Sequence, residues 1–210
     1  FIGVYSHVFL DYLNNYGVRL LTPFDWRWFY GDSVFIVDIW LWLVLSAGVW
    51  MSRRRRSPRP STYALGVATI YVVAMLTSAR VARGIVAEQW TATHGSPPQA
   101  LMVGPRPITP MSRDVIVDAG DHYELGSFVW PSRLELDTEH IAKNDHRPEV
   151  AAAREDPRIR ALLVWSRFPI FILDAVEGGT RVTVTDARFM SRGGTFAAST
   201  IVSTHSSASD

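Results

Sequence analysis

Cysteine is absent from this 210-residue chain, which excludes disulfide cross-links and thiolate metal ligation. An excess of one charge sign is absent too. With 21 Lys and Arg against 20 Asp and Glu, the net charge is +1, which gives no support for nucleic-acid binding, since that usually needs a basic face. No serine nucleophile elbow and no phosphate-cradling glycine loop can be found. Gly193-Gly194 is an isolated pair outside any strand–glycine–helix context. No internal repeat stands out, which removes the solenoid and propeller classes.

What is present is distributed unevenly. Hydrophobic residues make up 48% of the chain, and long apolar runs crowd its first part. Val34 to Met51, VFIVDIWLWLVLSAGVWM, carries one charge, Asp38. Its length meets the lower limit for a membrane span, about 18 residues. Asp32 or Ser33 is expected to cap its start. Thr62 to Ala82 reads as a second span, with Ala64, Gly66, Ala68 and Ala74 small enough for close helix packing. The loop 52–61, SRRRRSPRPS, is basic and is expected on the cytoplasmic side. Residues 1–32 and 83–210 would then be extracytoplasmic. Phe24, Trp26, Trp28, Phe29 and Tyr30 precede the first run and suit a membrane–water interface.

Chemistry concentrates between Ser6 and Asp38. A helix over Phe1–Tyr16 places His7 and Asp11 at i and i+4 on one face. An imidazole and a carboxylate so presented can hold a divalent ion; the plainer alternative is a local hydrogen bond that orients the helix. Asn14 or Asn15 extends the polar face, and Gly17 fits a helix stop. Asp38 is a carboxylate inside an apolar run, a functional candidate by its cost in lipid. Asp32 and Asp38 lie about 240° apart on a regular helix and would not share an ion there.

SHVFLDYLNNYGVRLLTPF followed by WFYGDSVFIVDIWLWL resembles the YdjM/YbcI-like bacterial inner-membrane family, described as LexA-regulated, membrane-bound, metal-dependent hydrolases. His7, Asp11, Asn15, Gly17, Pro23, Phe24, Asp32 and Asp38 fall on its pattern. The resemblance implies metal ligands at His7, Asp11 and Asp38, catalytic roles for Asp32 and Asn15, and zinc, manganese or magnesium as cofactor. The family's earlier H-R-G-x-T-H-S motif is absent, and the chain opens at Phe1 in mid-helix. A fragment lacking its N-terminus, with further histidine ligands and spans upstream, is therefore expected. LLVWSRFPIF and VTVTDARF resemble the tail of longer members.

From Gln99 onward the period shifts toward two. Strands are expected in ALMVGPRPITP and on both sides of the turn Ala119-Gly120-Asp121. A polar stretch over Thr138–Asp156 with a short helix at Pro148–Glu155 follows, then a helix over Pro157–Phe168. Strands come next over Ile170–Val176, along RVTVTDARF after a turn at Glu177–Thr180, and over Phe196–Thr204, before a frayed Ser206–Asp210. Asp186 and Arg188 are expected as a surface pair. His122, His140 and His146, among Asp121, Asp137, Glu139 and Asp145, are expected as polar loop residues, because no ligand spacing links them.

The fold class is thus a membrane α-helical N-terminal part, with two transmembrane helices and part of an upstream one, followed by a small α+β extramembrane domain with antiparallel strands. Its divisions are 1–33, a metal-site helix and interfacial loop; 34–82, a membrane hairpin; and 83–210, the soluble domain. The leading function is a membrane-bound metal-dependent hydrolase acting on an ester or phosphoester of a lipid or envelope-derived substrate, with the bilayer as partner. The alternative is a non-catalytic membrane protein whose soluble module binds a partner, its His and Asp residues forming a structural network.

Overall fold

The computed structural model describes residues 1–190 and 196–203. Gly193-Gly194 and Ser206–Asp210 lie outside them. Within the described residues the chain forms two compact units. The first comprises Phe1–Val115 and Gly126–Leu136; the second comprises Ile116–Leu125 and Asp137–Asp210.

The first unit opens with α1 (Ile2–Leu13). This helix stops before the expected Tyr16 because Asn14 turns extended and its Oδ1 accepts from the Tyr16 N–H at 2.7 Å. A side-chain acceptor here offers the backbone an alternative to the next helical turn. The chain then loops out, makes a single antiparallel bridge between Val18 and Phe29, and returns to the end of α1. Gly31 passes so close to Tyr12 that an added Cβ would sit 2.5 Å from its carbonyl oxygen.

Helix α2 (Ile39–Arg55) starts later than the apolar run does. Asp38, rather than Asp32 or Ser33, is its N-cap, with the carboxylate accepting from the Trp40 and Leu41 N–H groups. The apolar part of α2, Ile39 to Met51, therefore rises only about 20 Å at 1.5 Å per residue. That falls short of a hydrocarbon core of about 30 Å. Arg53–Arg55 belong to its last turn, so the basic connection shrinks to Arg56–Pro58. Helix α3 (Arg59–His94) is continuous over 36 residues and ends where Gly95 takes the left-handed conformation and donates to the Thr91 carbonyl. Among the described residues it is the one helix long and apolar enough to cross a membrane.

Packing within this unit inverts the pattern of a water-soluble bundle. The buried stripe of α3 runs through Ala64, Ala68, Met75, Ala79, Ala82, Val86 and Trp90. Gly66 and Ala74, expected in the contact, are exposed. Gly48 of α2 meets the stripe so closely that a Cβ there would fall 2.3 Å from that of Ala64. Ser52 and Ser61 close the hairpin with paired 2.9 Å bonds. The outward faces carry Trp42, Leu43, Trp50, Tyr63, Leu65 and Ile70, all strongly exposed. An apolar exterior over small inward residues is what a lipid solvent selects.

Beyond α3 the strands β1 (Ala100–Pro105), β2 (Ser112–Asp118), β3 (His122–Val129) and β4 (Arg133–Ala142) form one sheet in that order. Strand β4 extends into the polar stretch that begins at Thr138. Helices α4 (Pro148–Ala153) and α5 (Pro157–Trp165) follow, the second capped by Asp156. Strands β5 (Pro169–Val176), β6 (Gly179–Asp186) and β7 (Ala197–Val202) make an antiparallel sheet, with α6 (Ala187–Met190) after β6. Val150, Ala153 and Ile159 from α4 and α5 pack on Phe171, Val182 and Val184 to form the core of the second unit.

Strand β6 ends at Asp186, and the expected surface pair is instead buried: both Asp186 and Arg188 side chains have zero exposure. Asp186 accepts from Ser166, from the backbone N–H groups of Arg167 and Phe168, and from the Arg188 guanidinium at 2.8 and 2.9 Å. Burial pushes its carboxyl up, but the Arg188 pair and the hydrogen bonds outweigh that and hold it below the usual carboxylate range. A carboxyl lowered in the fold contributes stability above its unfolded value, about 4, and that stability drains as pH falls through the lowered one. Thermal melts in detergent should accordingly show the second unit weakening below about pH 4. Asp186→Asn, which strands Arg188, should cost about 3–5 kcal/mol at neutral pH. Unchanged melting of that variant would refute the role assigned to the pair.

Candidate functional site

On α1, His7 Nε2 lies 3.2 Å from Asp11 Oδ2. The side chains are 77% and 41% exposed, so the pair is open to an incoming ligand. Asn15 lies past the end of the helix and is buried, so it does not prolong this face. Asp32 arrives from the returning loop, not from a helix. Its backbone is left-handed, φ 47°, and its N–H donates to the Asn14 carbonyl at 3.4 Å. Gly31 N–H donates to Tyr12, and the N–H and hydroxyl of Ser33 both donate to Leu13. These bonds fasten the Asp32 loop to Tyr12, Leu13 and Asn14, the three residues that follow Asp11.

Arg113 of β2 holds that return in place. It is fully buried and donates from Nη1 to the Asp32 carbonyl at 3.0 Å, and from Nη2 to Met75 O and Ser78 Oγ at 3.2 Å. Burial pulls its pKa down to about 10, against the opposing pull of the Asp32 charge. It remains a cation at neutral pH.

Asp38 is differently employed. Its Oδ1 caps α2, and its Oδ2 accepts from the Tyr71 hydroxyl at 2.9 Å. Both oxygens therefore serve helix geometry. The chemistry of the His7–Asp11 pair fits a divalent ion as two ligands of a larger set, whereas catalytic zinc takes about three protein ligands.

A second polar group lies wholly within the second unit. Among the described residues, one set of three His and Glu side chains brings its ligand atoms within 4.8 Å of one another: His122, Glu124 and His140. This set could hold a metal ion. His122 and Glu124 share a face of β3 at i and i+2. His140 comes from β4, which pairs with β3 across a connection of residues 130–132, too short for anything but an antiparallel hairpin. The loop expectation for His122 and His140 is thus corrected. Only strand pairing joins residues so far apart in the chain, and the usable signal was the His-x-Glu alternation of a half-buried strand. His146 remains in the loop before α4, exposed.

Lys143, the single lysine of the chain, stakes the turn that precedes His122. Its ammonium donates to Asp118 Oδ1 at 2.6 Å and to the Gly120 carbonyl at 2.7 Å, and its backbone N–H donates to Asp121. The Lys143 and Asp118 side chains are 8% and 12% exposed. A 2.6 Å bond joins Asp121 Oδ1 to His122 Nδ1. That bond raises the His122 pKa and lowers that of Asp121.

An apolar-surfaced helical hairpin followed by a polar αβ tail defines a membrane-anchored protein class. Residues 1–82 match the family model described as YdjM inner membrane protein, the family that the His7-to-Asp38 motif resembles. That match and the long apolar α3 mark a membrane protein. No curated protein and no solved structure matches the chain.

Lys143→Met leaves Asp118 buried without its cation. It should lower the stability of the second unit by about 3–5 kcal/mol, read as an earlier thermal transition in detergent. Wild-type melting would show that the turn is held by other contacts.

Proposed function

We propose that this chain is a bilayer-embedded, metal-dependent hydrolase whose reaction centre includes the polar face of α1 and the returning Asp32 loop. The observation that carries the reading is the His7–Asp11 pair, 3.2 Å apart and open to solvent, inside the segment that matches the inner-membrane family. His7 and Asp11 would ligate the ion, with zinc as the first choice and manganese or magnesium as alternatives. Such an ion supplies Lewis-acid polarisation of an ester or phosphoryl oxygen and a bound water with its pKa lowered toward about 7. Asp32, buried and anchored through its backbone, is the candidate base or further ligand. Asn15, also buried, would support this centre or contact the substrate.

The membrane arrangement belongs to the same reading. In this reading α3 crosses the bilayer, and α2, too short alone, spans beside it together with the apolar Val34–Val37 segment before it, with Arg53–Arg59 at the cytoplasmic surface. Residues 1–32 and the tail then lie on the opposite side. The exposed Phe24 and Trp26, with Arg19 stacked over the Trp26 and Trp28 rings, suit the interface there. A site at that depth favours a lipid-like or envelope-derived ester or phosphoester.

One observation favours a structural role for part of the set: Asp38 spends both oxygens on the α2 cap and Tyr71. In the non-catalytic reading His7, Asp11 and Asp32 would likewise only tie elements together, and the tail would bind a partner.

Elemental analysis of the detergent-purified protein beside His7→Ala and Asp11→Ala separates the two. The hydrolase reading expects one equivalent of metal to be lost in both variants. Hydrolysis of p-nitrophenyl esters and phosphates should fall at least about 100-fold in both, as the loss of a metal-activated water implies. Metal content and turnover equal to wild type in both variants would sink it.

A further inference from the structure

We propose that the second unit carries a zinc-class metal site of its own, built from His122, Glu124 and His140, separate from the His7–Asp11 pair. All three ligand atoms lie within 4.8 Å of one another, and the two distances that involve Glu124 stand near the spacing a metal requires. With Zn–N at about 2.0–2.1 Å and Zn–O at about 2.0–2.2 Å, the ligand atoms of a tetrahedral ion stand about 3.3–3.5 Å apart. His122 Nε2 lies 3.4 Å from Glu124 Oε1, and His140 Nδ1 lies 3.6 Å from the same oxygen. The two imidazoles stand 4.8 Å apart between centroids and 62° between planes. They are not stacked, so both rings can point a nitrogen at one centre.

The chemistry of the donors agrees with the geometry. Two imidazole nitrogens and one carboxylate oxygen form a borderline set that suits zinc, and three protein ligands leave a fourth position open. Glu124 is nearly enclosed, with 9% of its side chain exposed. Among the described residues the ion-pair partners of this carboxylate are the two imidazoles. His122 and His140 are 28% and 54% exposed, so an ion has a path in.

The support behind the ligands is also present. Asp121 Oδ1 accepts from His122 Nδ1 at 2.6 Å, so the neutral ring would offer Nε2 to a metal. A carboxylate behind a ligating histidine is the usual means of fixing its tautomer and ring orientation. Lys143 in turn pins the Asp118–Asp121 turn through Asp118, Gly120 and the Asp121 carbonyl. The turn thus delivers Asp121 and His122 on a fixed frame, and Asp121 is a positioning residue.

The test uses the full chain in detergent, stripped of metal, carrying His7→Ala and Asp11→Ala so that only this site is read. Zinc titration by calorimetry should show one equivalent. His122→Asn and His140→Asn should each weaken binding at least about 100-fold, and Asp121→Asn by about 10–100-fold. His146→Asn, in the neighbouring loop, should leave it unchanged. Cobalt(II) in place of zinc should give the visible bands of a four-coordinate N/O site, lost in the His122→Asn/His140→Asn double variant. That double variant should melt like its parent without zinc and lose the zinc-dependent rise in Tm. No zinc equivalent in the parent, or equal affinity in the double variant, overturns the site whatever becomes of the hydrolase reading.

Discussion

Arg113 is the hinge on which the first unit turns. A guanidinium with no exposure needs acceptors, because a buried charge left without them costs several kcal/mol; here both Nη atoms find them, while Nε is left without one among the described residues. Its partners here are the Asp32 carbonyl, the Met75 carbonyl and the Ser78 hydroxyl. One side chain from β2 thereby fixes the returning loop against the long helix. The Ser78 hydroxyl also accepts from the Trp130 indole at 3.0 Å, so the same point collects the turn between β3 and β4. Because Asp32 is held by its backbone, its left-handed conformation is maintained by the surrounding structure.

The second unit uses the same device twice, with full charge pairing. Asp186 gathers the start of β5 and the end of β6 onto one carboxylate, which Arg188 neutralises. Lys143 does so for the turn between β2 and β3. Such pairs contribute modest net stability against well-packed apolar residues, yet they tolerate no loss of a partner. They specify where turns and strand ends sit. Precise turns matter most where side chains must converge, and the His122–Glu124–His140 group follows one of them.

Much of this was legible in the sequence because it is local. The apolar runs, the β5–β6 turn and the alternation of β1 to β3 each rest on neighbours within a few residues. The His7–Asp11 pair was legible for the same reason: four residues on a helix set the distance. What failed was non-local. The run Val34–Met51 reads as helix throughout, but Asp38 starts α2 only because its carboxylate caps it and meets Tyr71 from α3. Asp186 and Arg188 look like an exposed pair in an alternating strand, yet Ser166 and the Arg167 and Phe168 amides close over them.

The sequence by itself determined the solvent of each half. A chain with two apolar runs flanking four consecutive arginines has to place those runs in lipid or bury them, and α3 shows the small-residue stripe and apolar exterior of the first choice. Tertiary structure alone decided which polar residues meet. Asp32 reaches α1 through backbone bonds formed only after the loop returns. His122, Glu124 and His140 converge only because two strands pair, since loop closure and strand register, not residue type, set distances between positions far apart in the chain.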